Sequence, residues 1–337
     1  MNNYNIINIS KVNSNLLFEF YKKVFNQRHK TLSKNWQWWY RNKYLGFETL
    51  VLIKDQKVIG QAGLIPVKIN IKNEILPAIW FVDFAILPKF QRQGFGTILT
   101  KEWMKICPNQ ITFCNNKSLK IFKKFGWKEN HNSKRLAKPI DPFKFIFYLG
   151  NFKNNFFSKY YRAKLKKKLH KVDTIKPYLV KDNYKILFES FEKRKLFSTD
   201  TIVRDQDWLS WRILECPFSR NIHFFENDGN FAITHIVISK NIRRLHILYS
   251  FSTNFPNEES LIKSIYKWGV NNSIDLIWGN TNNKELIQKY ENVFSSRFTK
   301  NLNFASWSSN INPQLSLNDL QAIDSDNDII SIDDNYL

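Results

Sequence analysis

The run Trp80 to Lys105, WFVDFAILPKFQRQGFGTILTKEWMK, limits the folds open to this chain more than any other stretch. Aromatic and apolar residues up to Ile86 predict a strand, Pro88 ends it, and the apolar-periodic segment after Gly96 predicts a helix. Between them stands Gln91-Arg92-Gln93-Gly94-Phe95-Gly96, a Q-x-x-G-x-G spacing whose glycines let successive backbone N–H groups converge on one point in front of the helix. Unpaired amides and the positive end of the helix dipole make such a loop an anion cradle. Dinucleotide loops need G-x-G-x-x-G and P-loops need G-x-x-x-x-G-K-[ST]; the chain contains neither spacing.

The cradle resembles the pyrophosphate-binding motif [QR]-x-x-G-x-[GA] of the GNAT acyl-coenzyme A N-acyltransferases. In that superfamily the preceding strand ends in a V/I-x-P turn, matched by Ile86-Leu87-Pro88, with Asp83 inside the strand. A second block, Gln110 to Trp127 (QITFCNNKSLKIFKKFGW), reads as a strand, an asparagine corner, an amphipathic helix and a Gly-aromatic stop. It is similar to the GNAT pattern N-x-x-[AS]-x-x-[LI]-Y-x-x-x-G-F at Asn115, Ser118, Ile121, Gly126 and Trp127. Phe122 departs from it. Many members carry a tyrosine there whose hydroxyl protonates the leaving thiolate, and a phenyl ring has no proton to give. With the hairpin Thr49–Gly60 and Gln61–Ile71, the order is β-β-β-α-β-α, and the resemblance covers about residues 5 to 140.

A repeat extends the reading to the second half. Trp36-Gln37-Trp38-Trp39-Tyr40-Arg41 is echoed by Trp208-Leu209-Ser210-Trp211-Arg212, with Trp36 and Trp39 falling on Trp208 and Trp211. Asn115-Asn116-Lys117-Ser118-Leu119 is echoed by Asn282-Asn283-Lys284-Glu285-Leu286. Near-equal offsets predict a duplicated domain, with helices around Asp182 to Arg212, a hairpin from Ile222 to Tyr249, a helix from Asn257 to Trp268 and a strand Ile274 to Trp278. Where its cradle should stand, Ser250 to Glu259 has no glycine, and Glu258 and Glu259 sit at the helix start, where they would repel a pyrophosphate. The expected architecture is α/β (α+β): two GNAT-like domains, each a mixed central sheet flanked by helices. Residues 1–140 form the acyltransferase domain, 141–175 a basic aromatic helical linker, 176–310 a degenerate copy that has lost coenzyme A binding, and 311–337 an acidic tail.

The 337 residues suffice for two cores. No apolar run reaches membrane-spanning length and no signal peptide opens the chain, so a cytoplasmic protein is expected. Cys107, Cys114 and Cys216 are scattered and suit a reducing compartment, and the six histidines form no H-E-x-x-H, so no metal site is expected. The net charge of +22 is the balance of a strongly basic body and a tail with Asp319, Asp324, Asp326, Asp328, Asp333 and Asp334. It fits a solvated basic surface, the phosphates of coenzyme A, a nucleotide-sugar or a nucleic acid, or an anionic membrane. In the linker, Phe145, Leu149, Phe152, Phe156 and Tyr160 recur at helical spacing beside lysines 153 to 171. Such a stripe packs between domains or seats the protein on anionic lipid, and the acidic tail is a further partner for its lysines.

The resemblance implies acetyl-coenzyme A as co-substrate, held by Gln91, Arg92, Gln93, Gly94, Phe95, Gly96 and Asn115, with backbone donors for the oxyanion near Ala85 and Ile86. Asp83 is either the base for an attacking amine or a buried anchor for the loop or the Trp-rich segment; Glu129, His131 and Tyr40 are weaker candidates. Trp36, Trp38, Trp39 and Tyr40 fall in the acceptor wall. The echo suits core packing for Trp36 and Trp39 and leaves Trp38 and Tyr40 as substrate contacts. His235 and His246 read as a cross-strand pair. The function implied first is N-acetylation of a small amine, with an amino-sugar of surface polysaccharide synthesis as the acceptor by analogy. A Fem-type transferase taking its donor from aminoacyl-tRNA, the one nucleic acid in view, and a non-catalytic coenzyme A-binding module are the alternatives.

Overall fold

A computed structural model of the chain describes residues 4–25, 28–130, 133–144, 156–194, 200–239, 242–252, 255–294, 298–309 and 315–324. His131, the linker residues Phe145, Leu149, Phe152 and Lys153, and the tail aspartates 326, 328, 333 and 334 lie outside them.

Two sheets order the molecule. The first has eight strands: β1 (Tyr4–Asn8), β2 (Leu50–Lys54), β3 (Lys57–Ile71), β4 (Glu74–Ile86), β5 (Asn109–Cys114), β15 (Asn303–Ser308) and β6 (Lys128–Asn130) lie in that order, with β9 (Thr201–Ile202) against β3. The second has seven: β8 (Tyr178–Leu179), β10 (Ile222–Asn227), β11 (Asn230–Ser239), β12 (Ile242–Phe251), β13 (Leu276–Thr281), β7 (Lys134–Pro139) and β14 (Phe298–Asn301). The orders correspond strand for strand, and the parallel neighbours are β4 with β5 and β12 with β13. The first half carries α1 (Ser14–Val24), α2 (His29–Trp39), α3 (Phe95–Met104) and α4 (Asn116–Lys124). After α5 (Phe156–Lys168), the second carries α6 (Tyr184–Arg194), α7 (Gln206–Leu209, continued by a π turn, Ser210–Leu214), α8 (Phe255–Asn271) and α9 (Lys284–Phe294). Each sheet is thus mixed and flanked by helices, in duplicate.

Neither sheet belongs to one half of the chain. β15 enters the first sheet between β5 and β6, and β7 enters the second between β13 and β14. The boundaries expected at residues 140 and 310 divide the chain and not the sheets. One apolar core runs through both halves, joining Leu64, Trp80 and Trp103 to Phe224, Phe231 and Tyr249. A second, with Leu136, Leu245, Ile262, Ile277 and Phe294, fills the other face of the second sheet.

The halves meet reciprocally at α2 and α7. Trp38 Nε1 donates to the Trp211 carbonyl at 2.8 Å and Trp211 Nε1 to the Trp38 carbonyl at 2.7 Å. The contact therefore sets Trp38, rather than Trp39, opposite Trp211. Trp39 and Trp208 are core residues, 0% and 2% exposed.

Helix α5 packs on the second half. Ser158 and Arg162 bond Asp141, Arg162 also reaches Asp275, and Leu165 and Leu169 cover the second core. Phe157 and Tyr160 remain exposed. Of the tail acids, the described Asp319 and Asp324 pair with Arg194 and Arg204 in the second half. Among the described residues no helix is long and apolar enough to cross a membrane.

Candidate active site

The Q-x-x-G-x-G loop folds on itself through side chains. Gln91 Nε2 donates to the Ile86 carbonyl at 2.9 Å and Gln93 Nε2 to the Lys89 carbonyl at 2.8 Å. Arg92 and Gly94 take left-handed backbones, φ +62° and +85°, and Gly94 is the cap residue of α3. No described residue accepts from the backbone N–H groups of Arg92 through Gly96, so the loop is a nest of donors at a helix N-terminus. A Cβ on Gly94 would meet open space, but its φ strains any L-residue; one on Gly96 would lie 3.7 Å from Phe84, an ordinary contact. This difference suits a motif that requires glycine first and admits alanine last. The residues present fit an anionic pyrophosphate.

Beside the cradle the sheet opens. β4 and β5 pair at Ile79 with Gln110 and Trp80 with Ile111, and the Thr112 hydroxyl donates to the Phe81 carbonyl at 2.7 Å where they begin to part. β4 stays paired to β3 as far as Ile86. The resulting V floors a cleft of about 980 Å³, walled by Phe81 to Phe84, Thr112 to Ser118, Phe122, and Lys300 to Asn303. A smaller hollow of about 440 Å³ lies on the cradle side, against Ala85, Ile86, Gln91, Arg92, Gly96 and Ile121. Phe84 borders both, so cradle and cleft adjoin.

Asp83 sits in a bulge. Val82 pairs with Gly63 and Ala85 with Gln61, leaving Asp83 and Phe84 opposite Ala62 alone, with Asp83 at φ +47°. The expected strand alternation is broken here, and the carboxylate turns toward α2. Arg28 Nη2 reaches both its oxygens at 3.0 and 2.9 Å, Trp39 Nε1 donates at 2.9 Å, and the Tyr40 hydroxyl at 3.2 Å. Behind Tyr40, Gln61 Nε2 donates to its hydroxyl at 2.7 Å, and Gln61 Oε1 accepts from the Tyr21 hydroxyl at 2.8 Å. Gly63 is required at this crossing, since a Cβ would lie 2.7 Å from the Val82 carbonyl and 2.8 Å from the Tyr40 ring. Burial, reinforced by the charge of Asp83, pushes both phenols well above their ordinary range, so they remain donors at neutral pH. Asp83 thus has the contacts of an anchor for the Trp-rich segment, and it also lines the cleft.

The other expected site residues divide. Asn115 caps α4, accepting from the amides of Lys117 and Ser118, and borders the cleft. Tyr40 is 1% exposed and Trp38 is engaged with Trp211; neither lines the cleft. Glu129 pairs with Lys123. Phe122 stacks on Trp127 and meets Phe81 edge-on at the base of the V. Cys114 also faces the cleft, and burial, with Glu129 adding to it, pushes its thiol up to about 12. Sequence reasoning missed Phe25, Arg135 and Lys300 to Asn303. No local signal marks them: Phe25 comes from the end of α1, and the strand exchange brings Arg135 and Lys300 to Asn303 to the cleft. Among the described residues no cluster of His, Cys, Asp or Glu is placed to hold a metal ion.

The second half keeps the geometry and closes it. The bulge recurs in β12, at Leu248 in place of an acid, and β12 pairs with β13 only as far as Ile247 with Gly279. The tail occupies the opening. Gln321 forms a bridge with Thr281, its side-chain amide bonds both backbone groups of Ser250 at 2.8 and 2.9 Å, and Leu320 exchanges hydrogen bonds with Asn282. Glu258, from the start of α8, is buried against Lys289 and Ser250.

Residues 5–129 match the model of the acetyltransferase (GNAT) domain family. Among solved structures, the chain is similar to a GCN5-related N-acetyltransferase from Anabaena variabilis, with 13% identity, TM-score 0.56, and coverage of 89% of this chain and 72% of that one. A GCN5-related N-acetyltransferase from Kribbella flavida matches with 9% identity, TM-score 0.59, and 90% and 71% coverage. The N-myristoyltransferase of Saccharomyces cerevisiae with bound myristoyl-CoA matches with 11% identity, TM-score 0.60, and 91% and 83% coverage. These three likenesses are of fold and span both halves of the chain. No curated protein matches it in sequence. The cradle, the splayed strands and the match to the acetyltransferase (GNAT) domain family coincide in one part of the molecule, residues 5–129.

Proposed function

We propose that the chain is an acyl-coenzyme A dependent N-acyltransferase with a short acyl donor, acetyl-coenzyme A, and a small amine acceptor, of which an amino-sugar is the class taken first. The observation that carries this reading is the donor nest at Arg92 to Gly96 opening beside the β4/β5 gap, with a large cleft across Phe84. In it, the amides of Arg92 to Gly96 and the α3 N-terminus hold the pyrophosphate, and backbone N–H groups near Ala85 and Ile86 stabilise the oxyanion. Coenzyme A, once bound, supplies the acyl group as a thioester. Thr112, Asn115, Asn116, Ser118, Asn301 and Asn303 line the cleft facing the aromatic residues Phe81, Phe84 and Phe122, and a wall of each kind suits an acceptor with both polar groups and an apolar face, as a sugar has. The thiol of Cys114 is protonated at neutral pH, which favours direct transfer over an acyl-cysteine intermediate. Asp83, held by Arg28, Trp39 and Tyr40, acts as a positioning residue that fixes the wall.

Phe122 favours a second reading, a coenzyme A-binding module without turnover, since it offers no proton to a thiolate. Two measurements separate these. Acetyl-coenzyme A at a hundredfold excess over Kd stabilises the folded protein by about 2.7 kcal/mol, and Gly94→Glu abolishes the shift in melting temperature. Thiol release against a panel of amino-sugars and amines then distinguishes enzyme from module. Absence of stabilisation in the intact protein sinks both readings.

A further inference from the structure

We infer that the acceptor carries an anionic group, phosphate or carboxylate, and that Lys117, Arg135 and Lys300 recognise it in the cleft; this rests on the N-acyltransferase reading above. The cleft is polarised. Its β4 wall is aromatic, and the one acid among the described lining residues, Asp83, is held by Arg28. The opposite wall presents Lys117 from the first turn of α4, Arg135 from β7 and Lys300 from β14, with no carboxylate among its described lining residues.

Lys300 and Arg135 are direct partners in the antiparallel β14/β7 pair. Directly opposed like charges destabilise a sheet, and an anion between them reverses that sign. Arg135 is already fixed: its Nε donates to Asn280 at 2.8 Å and its guanidinium lies 4.3 Å above the Trp278 ring. A cation so held loses little freedom on binding. Asn280 and Trp278 belong to β13, so the half without a cradle supports the acceptor end of the site in the other half. The exchange of β7 and β15 is what carries Arg135 and the Lys300 to Asn303 turn to this wall. The net charge of +22 steers an anionic acceptor toward it.

Acyl transfer from acetyl-coenzyme A is measured on matched acceptors: glucosamine against glucosamine 6-phosphate, and cadaverine against lysine. The anionic member of at least one pair is expected to be preferred about tenfold or more in kcat/KM. Lys117→Ala with Lys300→Ala, both at exposed positions, erases the preference through the KM of the acceptor and leaves the KM of acetyl-coenzyme A unchanged. The phosphate pair and the carboxylate pair identify which anion is read. Calorimetric titration of inorganic phosphate into Gly94→Glu protein, whose cradle no longer contributes, detects the site without turnover, and its heat disappears when the two lysine changes are added. No phosphate heat in the Gly94→Glu protein, or a preference that survives the double change, overturns the inference. Failure of the acyltransferase reading shows separately, as absence of acetyl-coenzyme A binding by the wild type.

Discussion

Asp83 and Gly94 show how single positions carry the site. Gly94 is legible from sequence because its left-handed φ of +85° and its place before a helix are local properties of the backbone. Asp83 is legible only as an acid in a strand. The bulge that turns it toward Arg28, Trp39 and Tyr40 depends on the register of β4 against β3, which strand alternation does not encode. Its partners set a clear expectation. Asp83→Asn should lower kcat/KM by roughly tenfold to a hundredfold through misplacement of the wall, with the shape of the pH profile unchanged. A profile that loses its acid limb in the variant, measured with saturating donor, would make Asp83 the base and overturn its assignment as a positioning residue.

At the level of elements, the repeat is visible in the Trp and Asn echoes, while its register and its exchange are not. The echoes align Trp39 with Trp211, whereas the reciprocal indole bonds join Trp38 to Trp211, since one residue along a helix is a turn of about 100° that sequence spacing does not resolve. Helix α5 illustrates another case, in which buried ion pairs join the apolar contacts of Leu165 and Leu169. Its Arg162 and Ser158 bond the buried Asp141. Burial alone would raise the Asp141 carboxyl, but hydrogen bonds from Ser158 and the Lys144 amide, with Arg162, hold it below its ordinary 3.8. A depressed folded-state value stabilises above pH 3.8, and that stability is lost as pH falls through the folded value. Asp141→Asn should therefore cost about 2 kcal/mol at neutral pH and flatten the fall of melting temperature with acid. An unchanged acid limb in a pH series of thermal melts would show that α5 is held by its apolar contacts alone.

Across the whole molecule, the two halves share a plan and differ in what fills the gap between the parallel strands. In the first half the gap is an open cleft; in the second the tail enters it through Leu320 and Gln321. Arg204 and Asp324, both with fully buried side chains, fix that tail. Removing one member of a buried pair leaves an uncompensated charge, so Asp324→Ala should lower the unfolding free energy by about 3–5 kcal/mol in urea titration. A loss below about 1 kcal/mol would mean that the tail is held by its apolar residues. By itself the sequence determined the glycine loop before α3, the mixed α/β plan and its duplication, because backbone conformation, helix ends and apolar periodicity are local. Only the tertiary structure decided which sheet receives β7 and β15, which gap is closed, and which cations line the open cleft. A six-residue strand such as β7 or β15 reads the same in either sheet, and its place is settled by pairing with residues more than a hundred positions away.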